Sequence, residues 1–161
     1  MTTAIPEPDL MMLLSQASYA LNTELTAALQ GLGISPRANC VLCHAMAGNL
    51  TQGQLAEVCA LDKTTMVVTL DELEKAGLAE RRLSSTDRRA RIVVVTPAGK
   101  RMVARANAIV QGIFADVLGA LPEGERAAFT SGLRRLVDGR LSSPAQTERP
   151  VRRRPQRAVA S

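Results

Sequence analysis

The stretch from Thr51 to Thr96 constrains the fold of this chain more than any other part of the sequence. It opens on Thr-Gln-Gly-Gln (residues 51–54), which fits a capping box in which the second glutamine folds back onto the threonine. Asp62 can cap a second helix after a turn of only two or three residues. Two capped helices joined by so short a turn are typical of a helix-turn-helix.

A β-hairpin is expected directly after the second of these helices. Gly77 suits the left-handed backbone position at the end of that helix. Residues 79–83 and 91–96 predict two short strands, and the second contains the most β-prone run of the chain, Ile-Val-Val-Val. The turn between them is polar, and residues 80–91 hold five arginines against two carboxylates, a local charge of +3.

Helical spacing of apolar residues predicts four helices before the hairpin and two after it. Aromatic residues make up only 2% of the chain, so aliphatic side chains must build the core, which favours helices. The expected fold class is mainly α with a small β-hairpin wing (α+β), a winged helix-turn-helix with six helices. Capping residues and first-turn prolines mark four of the helix starts, at Asp9, Ser35-Pro36, Thr96-Pro97 and Leu121-Pro122.

The first helix is apolar over much of its circumference and needs more than one packing partner. A helical dimerisation region drawn from both termini satisfies this need; a helix buried within a monomer is the alternative. Five segments are therefore expected along the chain. They are a flexible arm (1–8), N-terminal helices for dimerisation and a pocket wall (9–50), the winged helix-turn-helix (51–96), C-terminal dimerisation helices (97–141) and a disordered Arg/Pro-rich tail (142–161).

Most of the net charge of +5 lies in the tail, where residues 142–161 carry five arginines against one glutamate. No run of eighteen apolar residues is present, so no membrane partner is expected. The first residues lack the basic and apolar regions of a signal peptide. Three cysteines, all in predicted helices, fit reduced thiols in the cytoplasm better than disulfides.

The second helix of the helix-turn-helix is expected to read DNA. An α-helix fits the major groove, and its first residues reach the base edges. Lys63, Thr64 and Thr65 occupy that position. Thr51 and Gln52, at the start of the preceding helix, are expected to hold the phosphate backbone.

The hairpin tip is expected to contact the minor groove. An arginine there can enter a narrow A·T-rich groove, where the negative potential is enhanced. Asp87 can orient the guanidinium of Arg89 through a bidentate pair, while Arg88 and Arg91 add positive charge. A solvated basic hairpin is the alternative, but a place directly after a helix-turn-helix favours DNA contact.

Residues 51–82 and 85–100 resemble the MarR family of winged-helix transcriptional regulators. The resemblance implies a triangular homodimer that carries DNA-binding lobes at two corners. It also implies binding to a palindromic operator and repression that small molecules relieve. The family's pattern at the end of the recognition helix is matched by Leu73, Glu74, Lys75 and Gly77, and its wing pattern by Asp87, Arg89, Ile92–Val95, Thr96 and Gly99.

Val67 and Val68 depart from the resemblance, because many family members carry a polar or basic residue in the middle of this helix. Valine can touch a thymine methyl but cannot read a guanine. These two DNA-facing positions are therefore expected to make few base-specific contacts, and recognition is expected to depend more on the wing and on DNA shape. If the valines instead belong to the core, the assumed rotation of the helix is wrong.

Residues 40–44, Cys-Val-Leu-Cys-His, match the attachment pattern of c-type haem. Haem is attached outside the cytosol, and His44 is the only histidine, so neither a haem cofactor nor a zinc site is expected. The favoured interpretation is two small apolar thiols, with no cofactor and no metal. The alternative is a redox- or electrophile-sensing regulator that acts through Cys40 or Cys43; Cys40 lies near a helix start and Arg37, which suits a reactive thiolate.

By resemblance, an effector pocket is expected between the first, second and fifth helices. Ser15, Tyr19, Arg37, Cys40 and His44 could line it, and Arg37 could pair with an anionic group of an anionic or aromatic ligand. A surface cation is the alternative for Arg37, and a regulator without an effector is the alternative for the pocket.

The sequence therefore predicts a homodimeric, sequence-specific DNA-binding transcriptional regulator, a repressor relieved by a small molecule. The alternative from another class is a winged-helix module that binds proteins. Arg89→Ala would weaken DNA binding only in the first case. An enzyme is not expected, because the sequence offers no nucleophile–base pair and no Gly-rich phosphate loop.

Overall fold

The computed structural model describes residues 9–85, 87 and 90–145, in two compact units, one ending at Asp116 and the other beginning at Val117. Within these residues the six predicted helices and the predicted hairpin are confirmed. The elements are α1 (Leu10–Leu29), α2 (Pro36–Ala45), α3 (Gln52–Val58), α4 (Lys63–Lys75), β1 (Ala79–Leu83), β2 (Arg91–Val95), α5 (Pro97–Gly119) and α6 (Glu123–Asp138). None of the described helices is long and apolar enough to cross a membrane.

The predicted arm, residues 1–8, and residues 146–161 of the predicted tail lie outside the described residues. Residues 142–145 form neither helix nor strand. The other boundaries proposed from the sequence lie outside helices and strands: 50/51 between α2 and α3, 96/97 between β2 and α5, and 141/142 after α6.

The helix starts follow from side chains that satisfy the otherwise unpaired first-turn amides. Ser35 accepts a hydrogen bond from the backbone N–H of Ala38 at 3.1 Å at the start of α2. At the start of α3 the capping box is complete. The Gln54 N–H donates to Thr51 Oγ1 at 3.2 Å, and the Thr51 N–H donates to Gln54 Oε1 at 2.9 Å.

The end of α4 turns the chain into the hairpin. Gly77 has a φ of 69°, a conformation that costs other residues free energy. The Leu78 N–H donates to the Leu73 carbonyl at 2.9 Å, and the Gly77 N–H donates to the Glu74 carbonyl at 2.9 Å. This pair of bonds is a Schellman motif, which fixes the direction in which β1 leaves α4.

The hairpin pairs β1 and β2 antiparallel, with Ala79 opposite Val95 and Leu83 opposite Arg91. A third stretch of backbone joins it, which the sequence did not predict. The Val93 N–H donates to the Leu50 carbonyl at 3.0 Å, next to an isolated bridge between Thr51 and Ile92. The residues just before α3 are therefore hydrogen-bonded to β2.

Gly99, in the first turn of α5, is buried where the chain crosses the end of α4. A Cβ at this position would collide with the Leu78 carbonyl oxygen and lie 2.7 Å from a Val95 methyl. Thr96 fixes the same junction, because its hydroxyl donates to the Gly77 carbonyl at 2.7 Å and accepts from the Gly99 N–H at 3.0 Å. Only glycine permits this close approach.

The core of the first unit is aliphatic, as the composition predicts. Its fully buried large side chains come from five elements and hold α4 with one face against α2, α3 and β1. In the second unit α6 buries none of its side chains, and Phe129 is 53% exposed. The fully buried large side chains are Leu29, Val41, Leu42, Leu55, Met66, Thr69, Leu70, Leu73 and Val93.

Candidate nucleic-acid interface

The first turn of α4 presents two exposed polar side chains, Lys63 and Thr64. Thr65 is half-buried, and its hydroxyl is already used, since it donates to Asp62 Oδ2 at 2.7 Å. Its backbone N–H donates to Asp62 Oδ1 at 2.8 Å, and these two bonds lower the pKa of Asp62. Of the three residues predicted to read bases, Thr65 therefore has no hydroxyl proton to spare.

The middle of α4 turns two valines outward. Val67 is 38% exposed and Val68 is 49% exposed, while Met66 and Leu70 are fully buried. The predicted rotation of the helix is confirmed, and the alternative that these valines belong to the core is wrong. The outward face of α4 therefore begins with Lys63 and continues as an apolar surface that can contact thymine methyls.

A cleft of about 370 Å³ lies where the starts of α3 and α4 approach each other. Gln52 and Gly53 line one side, and Lys63 and Val67 line the other. The structure thus brings together predicted DNA-contacting residues of both helices. Thr51 lies next to this cleft in sequence, with its hydroxyl engaged in the capping box.

The turn between β1 and β2 closes through hydrogen bonds around Asp87. The Ala90 N–H donates to the Asp87 carbonyl at 3.0 Å, and the Ser84 N–H donates to the Ala90 carbonyl at 2.9 Å. Asp87 is exposed, and so is Arg91 at the start of β2. Arg88 and Arg89, and with them the predicted Asp87–Arg89 pair, lie outside the described residues.

The arginines of β1 are held by carboxylates of the protein. The Arg81 guanidinium donates to Glu74 Oε2 from Nη2 at 2.6 Å and from Nε at 3.1 Å, and it also pairs with Asp71. The Arg81 backbone N–H donates to Glu74 Oε1 at 2.7 Å. Arg82 donates twice to Glu80 Oε2, at 2.7 and 2.9 Å.

These contacts change the electrostatics of the hairpin. The hydrogen bonds from Arg81 lower the pKa of Glu74, and the contacts with Glu74 and then Asp71 raise the pKa of Arg81. The local charge of +3 inferred from the sequence therefore overstates what β1 offers to DNA. Among the described arginines of the hairpin, Arg91 is exposed at the start of β2 and is in no ion pair of the described residues.

A cavity of about 430 Å³ lies between α1, α2 and the end of α3. Of the predicted effector-pocket residues, Arg37 and Cys40 line it. Its α1 wall is formed by Ser18 and Asn22, whereas Tyr19 is 77% exposed. Sequence reasoning missed Ser18 and Asn22, although their spacing of four residues places two polar groups on one helix face. Ser15 is exposed on α1, three residues before Ser18.

A second cavity, of about 370 Å³, lies between α1, α2 and α5, the region in which the pocket was predicted. Cys40 lines both cavities, and Cys43 lines only this second one. The Cys43 thiol donates to Asn107 Oδ1 at 3.3 Å, and burial raises the pKa of Cys43. The two cysteines of the Cys-x-x-Cys-His run thus have different surroundings.

Cys59, at the end of α3, is the neighbour of Cys40 that the sequence did not reveal. The Sγ atoms of Cys40 and Cys59 and a ring nitrogen of His44 all lie within 4.8 Å of one another. Burial, and then the nearby Cys40 thiol, raise the pKa of Cys59 to about 12. The expectation that no zinc site exists rested on His44 being the only histidine, and it did not foresee that Cys59 lies beside Cys40 and His44.

Comparison with known proteins places this geometry in a family. A profile of the MarR family matches residues 41–90, from the middle of α2 to the hairpin turn. The transcriptional regulator PA3341 is 31% identical, with a TM-score of 0.72 over 84% of this chain and 100% of that chain.

CouR from Rhodococcus jostii RHA1, solved with p-coumaroyl-CoA, is 26% identical, with a TM-score of 0.73 over 87% of this chain and 96% of that chain. CouR bound to a 23-mer DNA duplex matches at 27% identity and a TM-score of 0.73, over 80% of this chain and 92% of that chain. Profile, fold and the outward face of α4 agree, and the chain belongs to the MarR family of winged helix-turn-helix, DNA-binding transcriptional regulators.

Proposed function

We propose that this protein is a cytoplasmic homodimer that binds a palindromic operator and represses transcription until a small molecule releases it. The exposed start of α4 carries the proposal. Lys63 and Thr64 project there from a helix whose opposite face is buried. This is the arrangement by which a recognition helix inserts its first residues into the major groove.

Recognition is divided between two surfaces. Lys63 can donate to a guanine or a phosphate, Thr64 can donate and accept, and Val67 and Val68 can contact thymine methyls. With few hydrogen-bonding groups on α4, minor-groove contacts from the hairpin tip supply a larger share of the affinity. Asp87, Arg88, Arg89 and Arg91 are the residues proposed for those contacts.

Dimerisation is supported by large apolar side chains that are more than half exposed on α1 and on α6. On α6, Phe129 is 53% and Val137 is 55% exposed. On α1, Leu10 is 63% and Met11 is 73% exposed. Apolar surface concentrated on terminal helices marks a protein–protein interface, and a second copy of the chain would bury it.

An anionic or aromatic small molecule is the proposed effector, and the cavity lined by Arg37 and Cys40 is its proposed site. A guanidinium can bind a carboxylate or phosphate through two parallel hydrogen bonds. Ser18 and Asn22 add hydroxyl and amide groups on the opposite wall. CouR, which is similar to this chain, was solved with p-coumaroyl-CoA, an aromatic acyl thioester that carries phosphates.

Selection of genomic fragments by the purified full-length protein tests the proposal. The expected result is enrichment of an inverted repeat whose half-sites are centred about one DNA turn apart, on the order of 34 Å. A Lys63→Ala, Thr64→Ala double variant should lose that enrichment. Equal recovery of all fragments, or an unchanged motif for the variant, would reject operator reading and favour a protein-binding module.

Redox sensing is a second candidate, favoured by the closeness of Cys40 and Cys59. Diamide would oxidise the two thiols to one disulfide, taking up both protons and both electrons. DNA affinity should then fall for the wild-type protein and for Cys43→Ser, but stay constant for Cys40→Ser. A Cys40→Ser protein that still responds to diamide contradicts this candidate.

A further inference from the structure

Three soft donor groups from two helices converge beside the cavity between α1 and α2. Cys40 and His44 lie one turn apart on α2, and Cys59 follows the last residue of α3. The two Sγ atoms and the imidazole nitrogen lie within 4.8 Å of one another. Residues 19 positions apart in sequence thus supply a single cluster.

The spacing of these atoms fits a metal ion after small side-chain rotations. In a tetrahedral site with metal–sulfur distances of about 2.3 Å and metal–nitrogen distances of about 2.0 Å, ligand atoms lie roughly 3.5–3.8 Å apart. Closing the cluster from 4.8 Å requires each donor to move by less than about 1 Å toward a common centre. Cys40 and His44 are exposed, so their side chains are free to make that movement.

The backbone around Cys59 is held in place. The Cys59 N–H donates to the Leu55 carbonyl at 2.9 Å, and the Leu61 N–H donates to the Ala56 carbonyl at 2.8 Å. Between them Ala60 has a φ of 52°, the left-handed conformation that completes a helix C-terminal cap. Because the cap fixes its backbone, Cys59 presents its thiol from a defined position, and only a side-chain rotation is needed for it to meet the α2 ligands.

We propose that Cys40, His44 and Cys59 bind one thiophilic d10 cation, Zn²⁺ or Cu⁺. Thiolate and imidazole are the donors that both ions prefer. Three protein ligands complete a trigonal Cu⁺ site, or leave the fourth position of a Zn²⁺ site to water or an exogenous anion. The bound ion joins α2 to the end of α3, immediately before the turn into α4.

The test uses the reduced full-length protein and the metals alone. Co²⁺ is titrated first as an optical probe, and Zn²⁺ and then Cu⁺ are added against chelators of known affinity. The expected result is one ion per chain, with a thiolate-to-cobalt absorption band and a higher thermal midpoint in the presence of the tighter ion. The Zn²⁺ and Cu⁺ arms decide which of the two ions the site prefers.

Variants separate this site from adventitious thiol binding. Mutation of residues that only hydrogen-bond to metal ligands typically lowers metal affinity by about 10–100-fold. Loss of a ligand itself, in Cys40→Ser, His44→Gln or Cys59→Ser, should therefore lower the affinity by about 100-fold or more. Cys43→Ser is the matched control, since Cys43 lies on the same helix but faces Asn107. His44 is exposed, so its variant keeps the test valid if a cysteine variant unfolds.

The proposal is overturned if neither ion binds more tightly than roughly micromolar, an affinity of about −8 kcal/mol. It is also overturned if His44→Gln binds as tightly as the wild-type protein, or if Cys43→Ser loses as much affinity as Cys59→Ser. No DNA enters the measurement. Its outcome is therefore independent of the proposed operator binding.

Discussion

Asp62 determines what the first residues of α4 can do on DNA. Its carboxylate accepts hydrogen bonds from both the backbone N–H and the hydroxyl of Thr65, so it stabilises the helix start and occupies a hydroxyl that was predicted to contact DNA. Lys63, one residue further along the chain, is exposed and is therefore the leading candidate for the proposed contact with DNA.

Lys63→Ala should therefore weaken operator binding by roughly 5- to 150-fold, the cost of about 1–3 kcal/mol for one good base contact. If Lys63 contacts a phosphate instead, the slope of log affinity against log salt should fall by about 0.9. Lys75→Ala, at the other end of the same helix, is the charge-matched control. Fluorescence anisotropy at several salt concentrations measures the operator affinity and its salt dependence. An equal loss of affinity for the Lys63 and Lys75 variants would contradict a specific role of Lys63.

Gly99→Ala should destabilise the fold by about 1–3 kcal/mol, the cost of overpacking a close contact. The added methyl group meets the Leu78 carbonyl, and the backbone that carries it cannot rotate away. Gly112→Ala is the control, because nothing lies within 4 Å of a Cβ there. In mid-helix that exchange should stabilise by about 0.5–1 kcal/mol. Urea unfolding compares the two, and a Gly99→Ala protein as stable as the wild type would show that the junction can yield.

At the scale of elements, the ion pairs of Arg81 tie β1 to the last turns of α4. The folded state holds the pKa of Glu74 below its ordinary value of 4.5 through hydrogen bonds from Arg81. The pair therefore contributes stability that is fully present above about pH 4.5 and is lost as the pH falls through the lower folded-state value. This orientation of the hairpin relative to the recognition helix should be acid-sensitive.

Glu74→Gln tests that linkage. The variant should be less stable than the wild type at neutral pH, and the difference should shrink as the pH falls below 4.5. Glu72→Gln, which changes an exposed carboxylate on the same helix, is the control. Its stability should differ little from that of the wild type at every pH. The measurement is denaturant unfolding from about pH 3 to about pH 7. If the stability difference between Glu74→Gln and the wild type is the same at every pH, Glu74 does not contribute to the acid sensitivity.

Features of the elements that depend on neighbours in sequence were predictable. The capping box at Thr51, the left-handed Gly77 and the outward Val67 and Val68 are set by positions within four or five residues of one another. The contact of Cys59 with Cys40 was not predictable, because it depends on how α3 packs on α2. Nor was the use of Arg81 within the protein, since a charge count treats every arginine as free.

At the scale of the whole molecule, the apolar side chains that stay exposed on α6 bear on how copies of the chain associate. Its residues Phe129, Leu133 and Val137 recur every four positions, which places them on one side of the helix. A charge introduced there should oppose burial by a second copy, because an unpaired charge is costly to desolvate.

Leu133→Glu should therefore shift the proposed dimer toward monomer and weaken binding to the proposed operator, because fewer copies would contact the DNA together. Ser131→Glu adds the same charge to the same helix two residues away, on the opposite side, and should leave the mass unchanged. Sedimentation equilibrium over a range of protein concentrations distinguishes the states. If the Leu133→Glu protein remains dimeric, the dimer interface lies on other helices.

The hydrogen bond from the Val93 N–H to the Leu50 carbonyl couples the start of α3 to the hairpin, so that a movement of α3 would be transmitted to the hairpin. The helix has seven residues and is about 10 Å long. Its other end, at Cys59, forms part of the cavity wall. A ligand that displaces Cys59 would therefore be expected to tilt α3 and to reorient the hairpin, without contacting any of the residues proposed to bind DNA. The rate of hydrogen exchange at the Val93 amide would report that motion. If the rate is unchanged in a liganded protein that has lost DNA affinity, the ligand does not act through α3.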